Sequence, residues 1–415
     1  MSPWIVLLPV LIASFIHACG GPGPASERPG KVPTRTTEPA PETGADGPPA
    51  SDDARPDQTP DPDNPAEDIP DETGDETNND DPTDAPDDDS TDALAALTEE
   101  RLKATLTHLA SDQFAGRGSG DAGNEAAADF IIETWTKAGL QPANKGKWRQ
   151  TFTINGGKRT ANIMGVLPGN DPALADEVII LGAHMDHLGT SRSFIYNGAD
   201  DNASGTTGLL HLAEVAVAAA PARTLVFIAF SGEELGLLGS RHYVDNPVFP
   251  LEDTLVMINM DMIGYSNGRV QAMGALAAAG VAARLRELHP DDDKLQIQMT
   301  RDSGGRSDHA PFAKLGIPVT AFHTGTHANY HKPGDTWEKI DYPGLTRIVR
   351  LVGGLMLQAG EEESFGESLR AGSRFQPGFT LRQVFDFDAY FAIHGTCHEP
   401  VTDSFDHGLL PDQPL

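Results

Sequence analysis

EVIILGAHMDHLG, residues 177–189, runs from a wholly apolar stretch straight into His184, Asp186 and His187. A short apolar run of this kind reads as a strand buried on both faces, the sort found inside parallel sheets. Three more follow: TLVFIAF (224–230), TLVMINM (254–260) and IPVTAFH (317–323). Between the first two lies SGTTGLLHLAEVAVAAA (204–220), long enough to be a crossover helix. Upstream, Leu102, Leu106 and Leu109 are spaced for one face of a helix starting at Thr98, and a second helix spans about 124–138 before Gly139 stops it. Strand, helix, strand at this spacing predicts an α/β fold: a mainly parallel, mixed twisted sheet sandwiched between helices in one domain. In such sheets ligands bind at the carboxyl ends of the strands, where loops diverge.

Metal-binding side chains gather at those ends. His184 and Asp186 are two apart on extended chain and point the same way, so the Asp186 carboxylate is placed to take one imidazole N–H and leave the other nitrogen for a metal. Taken alone, such a pair is an ordinary hydrogen bond in a loop. In GADDNASG (198–205), Asp200, Asp201 and Asn202 suit the cap of the following helix, while a carboxylate there has two oxygens with which to bridge two cations. Glu233 and Glu234 arrive together after the next strand, and because adjacent side chains diverge, one is free to bind metal while the other faces substrate as a base. Asp261 sits inside the apolar MINMDMIG (257–264), where an ionised carboxylate is costly unless paired or bound to a cation. His331 comes last, in the loop NYHKPGDT (329–336). Beside His184, Asp201, Glu234, Asp261 and His331, His187 reads as a bystander, His323 and His327 as surface residues, and His211 and His242 as structural. Asp308 and His309 begin a helix with Ser307 as its cap. Cys397 is an idle thiol, since no activating partner accompanies it.

Six segments stand in order: GAHMDHLG, GADDNASG, FSGEELGLLGS, MINMDMIGY, GGRSDHAPF and NYHKPGDT, with ASDQFAGRGSG ahead of them. Together they resemble the two-zinc aminopeptidases, a family that includes leucyl-type aminopeptidases, glutamate carboxypeptidase-like enzymes and glutaminyl cyclases. The resemblance covers roughly residues 98–357 and implies a fold of the zinc-peptidase type. It also implies two Zn2+ ions, one held by His184 and Asp261, the other by Glu234 and His331, with Asp201 between them. Glu233 takes the general-base position, Asp186 orients the first histidine, and Arg306 and Tyr330 match positions that contact the reacting carbonyl and its oxyanion. The implied reaction is hydrolysis of the N-terminal bond of peptides with a free N-terminus. Carboxypeptidase, dipeptidase or glutaminyl cyclase activity are the alternatives on the same fold, and a non-catalytic binding domain is the alternative from another class.

Outside this core the composition changes. Residues 51–92 hold 18 Asp and Glu against the single Arg55, a net −17 of the chain's −31. Such Pro- and Asp-rich sequence has too little apolar surface to offset the entropy of ordering, so residues 19–94 read as a disordered, self-repelling linker. The acidic balance argues against a nucleic-acid partner. Residues 4–16 (WIVLLPVLIASFI) are apolar and short, as in an export signal, and the run into Cys19 resembles the lipobox of bacterial lipoproteins. The expected organisation is a signal peptide of lipoprotein type (1–18), the linker (19–94), a two-zinc peptidase domain (95–360) and a C-terminal extension (361–415). On this reading the protein is exported and anchored through lipidated Cys19 to the membrane of the bacterial cell envelope, or secreted if Cys19 stays free. With Cys19 acylated, Cys397 has no disulfide partner.

Overall fold

The computed structural model describes residues 93–289 and 294–377. The signal peptide, Cys19, nearly all of the linker, most of the C-terminal extension and Cys397 lie outside the described residues. Among the described residues no helix is long and apolar enough to cross a membrane.

Thr98 caps helix α1 (Glu99–Leu109), which buries Leu102, Leu106 and Leu109 as their spacing predicts. Helix α2 (Ala122–Ala138) buries Ile131 and Trp135 and ends at Gly139, whose φ of 104° is the left-handed conformation glycine adopts freely. The strands are β1 (Gln141–Pro142), β2 (Arg149–Thr153), β3 (Arg159–Leu167), β4 (Val178–His184), β7 (Thr224–Phe230), β8 (Thr254–Met260), β9 (Arg269–Met273), β10 (Gln296–Met299) and β11 (Val319–His323), with a small separate hairpin of β5 (Thr190–Ser191) and β6 (Phe194–Ile195). Nine of them form one sheet in the order β1-β3-β7-β4-β8-β11-β9-β10, with β2 also paired to β3. The central β7, β4, β8 and β11 are parallel. Strand β3 runs antiparallel to β7, and β9 antiparallel to β11. The sheet is therefore mixed, with a parallel centre.

Every residue of β4, β7 and β8 is buried. Alternate side chains serve two cores. Ile179 and Leu181 join Leu225, Phe227 and Ile258 on one face, under α3 (Gly205–Ala219) and α7 (Tyr342–Glu361). Ile180 joins Val226, Ile228, Phe230 and Met257 on the other, under Tyr243 of α4 (Leu238–Asp245) and Phe312 of α6 (His309–Lys314). Each such side chain withdrawn from water contributes about 1.5–3 kcal/mol, which is why continuous apolar runs rather than alternating ones mark these strands. Helix α5 (Val281–Glu287) completes the first face, and α8 (Glu363–Gly372) sets Phe365 and Leu369 into the same core, so packed chain continues past residue 360.

Ser307 does not cap α6. Asp308 occupies the cap position, and the Ser307 hydroxyl oxygen instead accepts a hydrogen bond from Asn259 Nδ2 at 2.9 Å. The buried Asn259 amide near the end of β8 is thereby given the acceptor it needs.

From β4 the chain crosses to β7 on one side and then returns to β8 on the other. The loops leaving β4 and β8 part at that switch, opening a crevice at the carboxyl edge of the sheet.

Candidate metal centre

His184 is the last residue of β4, Asp261 follows the last residue of β8, and Glu233 and Glu234 lie three and four residues beyond β7. Strand ends thus bring His184 and Asp261 to one edge of the sheet, and the loop leaving β7 brings Glu233 and Glu234 to the same edge. Asp201 comes from the loop entering α3 and His331 from the loop before α7. His184 Nε2 is 3.2 Å from Asp261 Oδ1 and 3.5 Å from Asp201 Oδ1. Across the site, His331 Nε2 is 3.1 Å from Asp201 Oδ2 and 3.2 Å from Glu234 Oε2. Asp201 thus offers one oxygen to each side.

These separations suit shared cations. Four ligands at 2.0–2.1 Å around a tetrahedral zinc stand about 3.3 Å apart. His184, Asp201 and Asp261 form one group of donors, and His187, Asp201 and Glu234 form a second, which His331 approaches from the other side. Imidazole nitrogen and carboxylate oxygen are the donors zinc prefers, so the residues fit the ion the sequence implies.

The loop carrying Asp201 is tied from four directions. Arg117, itself buried, donates to the carbonyl oxygens of Asn197 (2.7 Å) and Gly198 (2.8 Å), and also to those of Met185 (2.9 Å) and Leu109 (2.7 Å). Burial lowers its pKa to about 10, still far above neutrality. Asp335 accepts the backbone N–H of Asp200 and Asp201, each at 3.1 Å. Asn202 caps α3 by accepting from Gly205 N at 2.9 Å and reaches the end of β8 through Met260 O at 3.0 Å. Asp200 turns away from the donors and accepts from Gly264 N at 2.6 Å.

Asp186 acts differently from the expectation. The backbone carbonyl of Asp186, not its carboxylate, meets His184 Nδ1 at 3.1 Å, while carboxylate Oδ1 stands 3.9 Å off. The carboxylate accepts from the Ser119 hydroxyl (2.6 Å) and from Glu233 N (3.2 Å). It therefore fixes the turn that bears Glu233, and the tautomer of His184 is set by main chain. Where the strand ends the backbone bends, and the strict two-residue alternation that aimed the carboxylate at the ring no longer holds.

Three histidines also depart from expectation. His187 is buried, with Nδ1 2.7 Å from Glu234 Oε1 and 3.7 Å from Asp201 Oδ2. His327 is not a surface residue: its side chain is 10% exposed, stacks on Tyr265 at 3.8 Å and places Nε2 3.3 Å from Asp200 Oδ2. His323 lines the cavity, and its Nδ1 accepts from Gly325 N at 2.6 Å.

A cavity of about 460 Å³ opens over the donors. His184, Asp201, Glu233 and Asp261 line it on one side, and Gln271, Met273, Ser303, Arg306, His309 and Tyr330 are among its other walls. Burial pushes the Glu233 carboxyl well above the ordinary carboxylate range against the pull of His184, with Asp261 and Glu234 adding to the rise. Asp261 goes the other way: burial alone would raise it, but His184 holds it down at about 2. Burial would likewise lower His331, yet the Asp201 and Glu234 carboxylates raise it to about 10. Glu234 is held below its usual range by His187 and His331 despite burial. Two adjacent acids therefore differ in proton affinity, as two different duties require.

Residues 162–356 match the model of peptidase family M28. Leupeptin-inactivating enzyme 1 of Streptomyces exfoliatus is 31% identical over 244 residues, 55% of this chain and 48% of that protein. Aminopeptidase YwaD of Bacillus subtilis (strain 168) is 30% identical over 218 residues, 50% of this chain and 47% of that protein. The chain thus spans about half the length of these curated relatives. Among solved structures, the LapA aminopeptidase of Legionella pneumophila superposes with a TM-score of 0.55 at 20% identity, covering 67% of this chain and 75% of that one. The zinc aminopeptidase BSAP from Bacillus subtilis gives 0.53 at 20%, covering 64% and 96%. The fold is that of the M28 zinc peptidases.

Proposed function

We propose that the protein is a zinc-dependent exopeptidase that removes the N-terminal residue of peptides. One observation carries this reading: the Asp201 carboxylate presents one oxygen to His184 and the other to His331, so two donor sets share a member, and Glu233 faces the same cavity. The names of the relatives, an aminopeptidase and a leupeptin-inactivating enzyme, support it.

His184, Asp201 and Asp261 would hold one zinc, and Asp201, Glu234 and His331 the other; bound there, zinc supplies Lewis acidity and makes water nucleophilic near neutral pH. Glu233 takes the proton of the attacking water and delivers it to the leaving amine, a duty for which its raised proton affinity suits it. Arg306 and Tyr330, in the cavity wall, donate hydrogen bonds to the carbonyl oxygen as it gains charge. Burial, reinforced by Asp201 and Glu234, keeps the Tyr330 hydroxyl protonated and so able to donate. The surrounding carboxylates attract the free α-amino group, which favours release of single N-terminal residues. Side-by-side assay of aminoacyl and N-blocked peptides tests this: cleavage restricted to the free-amine substrates is expected, and cleavage of blocked peptides alone, or none with zinc restored, rejects it.

The same proposal includes export. The signal peptide (1–18) directs the chain out of the cell, Cys19 takes a lipid, and the linker (19–94) holds the domain away from the membrane of the envelope. Cys19→Ala should move the protein from the membrane to the soluble fraction; unchanged membrane association removes the anchor.

A further inference from the structure

His187 is one of the most enclosed side chains of the site, and the family pattern leaves it without a duty. Its ring is 0% exposed. A Cβ at Gly198 would stand 2.5 Å from ring carbon Cδ2, so only glycine leaves room for it there. The His331 ring packs edge-on at 5.8 Å between centroids. Nε2 is buried with no hydrogen-bond partner, so Nδ1 is the nitrogen with a role to fill.

Two such roles exist: ligand to the second cation, or hydrogen-bond donor to a ligand. Distance decides between them. Pairs that share a cation lie near the 3.3 Å edge expected of tetrahedral zinc, as His331 does at 3.1 and 3.2 Å from Asp201 and Glu234. His187 Nδ1 is 2.7 Å from Glu234 Oε1, the length of a hydrogen bond to a carboxylate, and 3.7 Å from Asp201 Oδ2, longer than the 3.1–3.5 Å of the ligand pairs above. The two oxygens of Glu234 are therefore divided: Oε1 toward His187 and Oε2 toward His331.

We propose that His187 is a positioning residue of the second cation site: its Nδ1–H donates to Glu234 Oε1 and so aims Oε2 at the cation. This rests on the two-cation reading above. Glu234 lies in a loop, with no strand to set its rotamer, and a hydrogen bond from a wholly enclosed ring supplies that constraint. Outer partners of this kind tune metal affinity by about 10–100-fold.

Zinc-stripped full-length protein titrated with zinc by calorimetry, and with Co(II) by absorption, reads the role directly. Wild type should take up two ions in distinguishable steps. His187→Leu, which fills the space without a donor, should weaken one step by about 10–100-fold and leave the other unchanged. His187→Asn keeps an N–H near the Nδ1 position and should restore most of that loss, with a Co(II) spectrum like that of wild type. Should the leucine variant not fold, His187→Ser, whose hydroxyl is too short to reach Glu234, replaces it. Wild-type affinity at both steps in the variant without the donor overturns the proposal. An asparagine variant as weak as leucine, with an altered second-site Co(II) spectrum, makes His187 a ligand and also overturns it. Uptake of a single ion by wild type sinks the two-cation reading itself and this inference with it.

Discussion

The two halves of the donor set stand on different ground. His184 ends one fully buried strand and Asp261 follows another, so main-chain hydrogen bonds of the sheet set their positions. Glu234 and His331 come from loops, and side chains place them: His187 for the first, and the stacked Tyr330 ring (3.8 Å between centroids) for the second. The two histidines differ in exposure, the His184 side chain being 1% exposed and that of His331 38%, whereas the Asp261 and Glu234 carboxylates are both largely enclosed. A strand end gives a ligand that is in place before any cation arrives, whereas a loop gives one that must be held by its neighbours.

The largest effect belongs to the group in neither half. Glu233→Gln should lower turnover by about 10²–10⁴-fold while elemental analysis still finds both zincs. Parallel loss of zinc would mean that the base also holds the halves together. Asp201→Asn cuts what the halves share, and both cations should bind more weakly, whereas Glu234→Gln should weaken one only; equal loss in the two variants would erase the distinction between halves.

Stability without metal separates the halves more finely. In zinc-free protein His184→Ala removes a buried ring and leaves Asp261 without its partner, a change worth about 1–3 kcal/mol, and the melting temperature should drop by several degrees. His331→Ala, at a more exposed ring whose ion pairs solvent screens, should cost less than His184→Ala. The reverse order would show the loop half to be the better packed. The smallest effect is a pH dependence. His331 is raised from 6.5 in the unfolded chain to about 10 in the folded one, so the folded state binds its proton more tightly. The stability His331 contributes is therefore full below pH 6.5 and is lost as pH climbs toward 10. The difference in melting temperature between zinc-free wild type and His331→Ala should shrink over that window. A difference that grows with pH would refute the ion pairs.

The same division governs what could be read from sequence. EVIILGAH, TLVFIAF and TLVMINM announced core strands because their composition leaves them nowhere else to go, and ligands at their ends followed. Strands β2, β3, β9 and β10 were not announced: RQTFT and QIQM are partly exposed at the periphery of the sheet and carry no apolar run. The missed site residues are those whose role is a contact rather than a type. Nothing in AGRGSG shows that Arg117 is buried against four carbonyls, nor in KPGDT that Asp335 receives two backbone N–H groups. The place of His187 is not legible in the sequence, because His184, Asp201, Glu234, Asp261 and His331 suffice for two cations and spacing along the chain does not reveal which ring closes over Glu234.

Arg350 of α7 donates to the carbonyl of Leu97, just ahead of α1, at 3.1 and 2.6 Å across 253 residues of chain. Read in the order of synthesis, the first helix waits for almost the last. Leu102 and Leu106 share their core with Ile348, Val349 and Val352 of α7, so a chain released or clipped before residue 342 would leave that face open to water. Arg117, which closes the Asp201 loop, belongs to the same early segment. Assembly of the edge that carries the metal donors is thereby postponed until the chain is nearly whole.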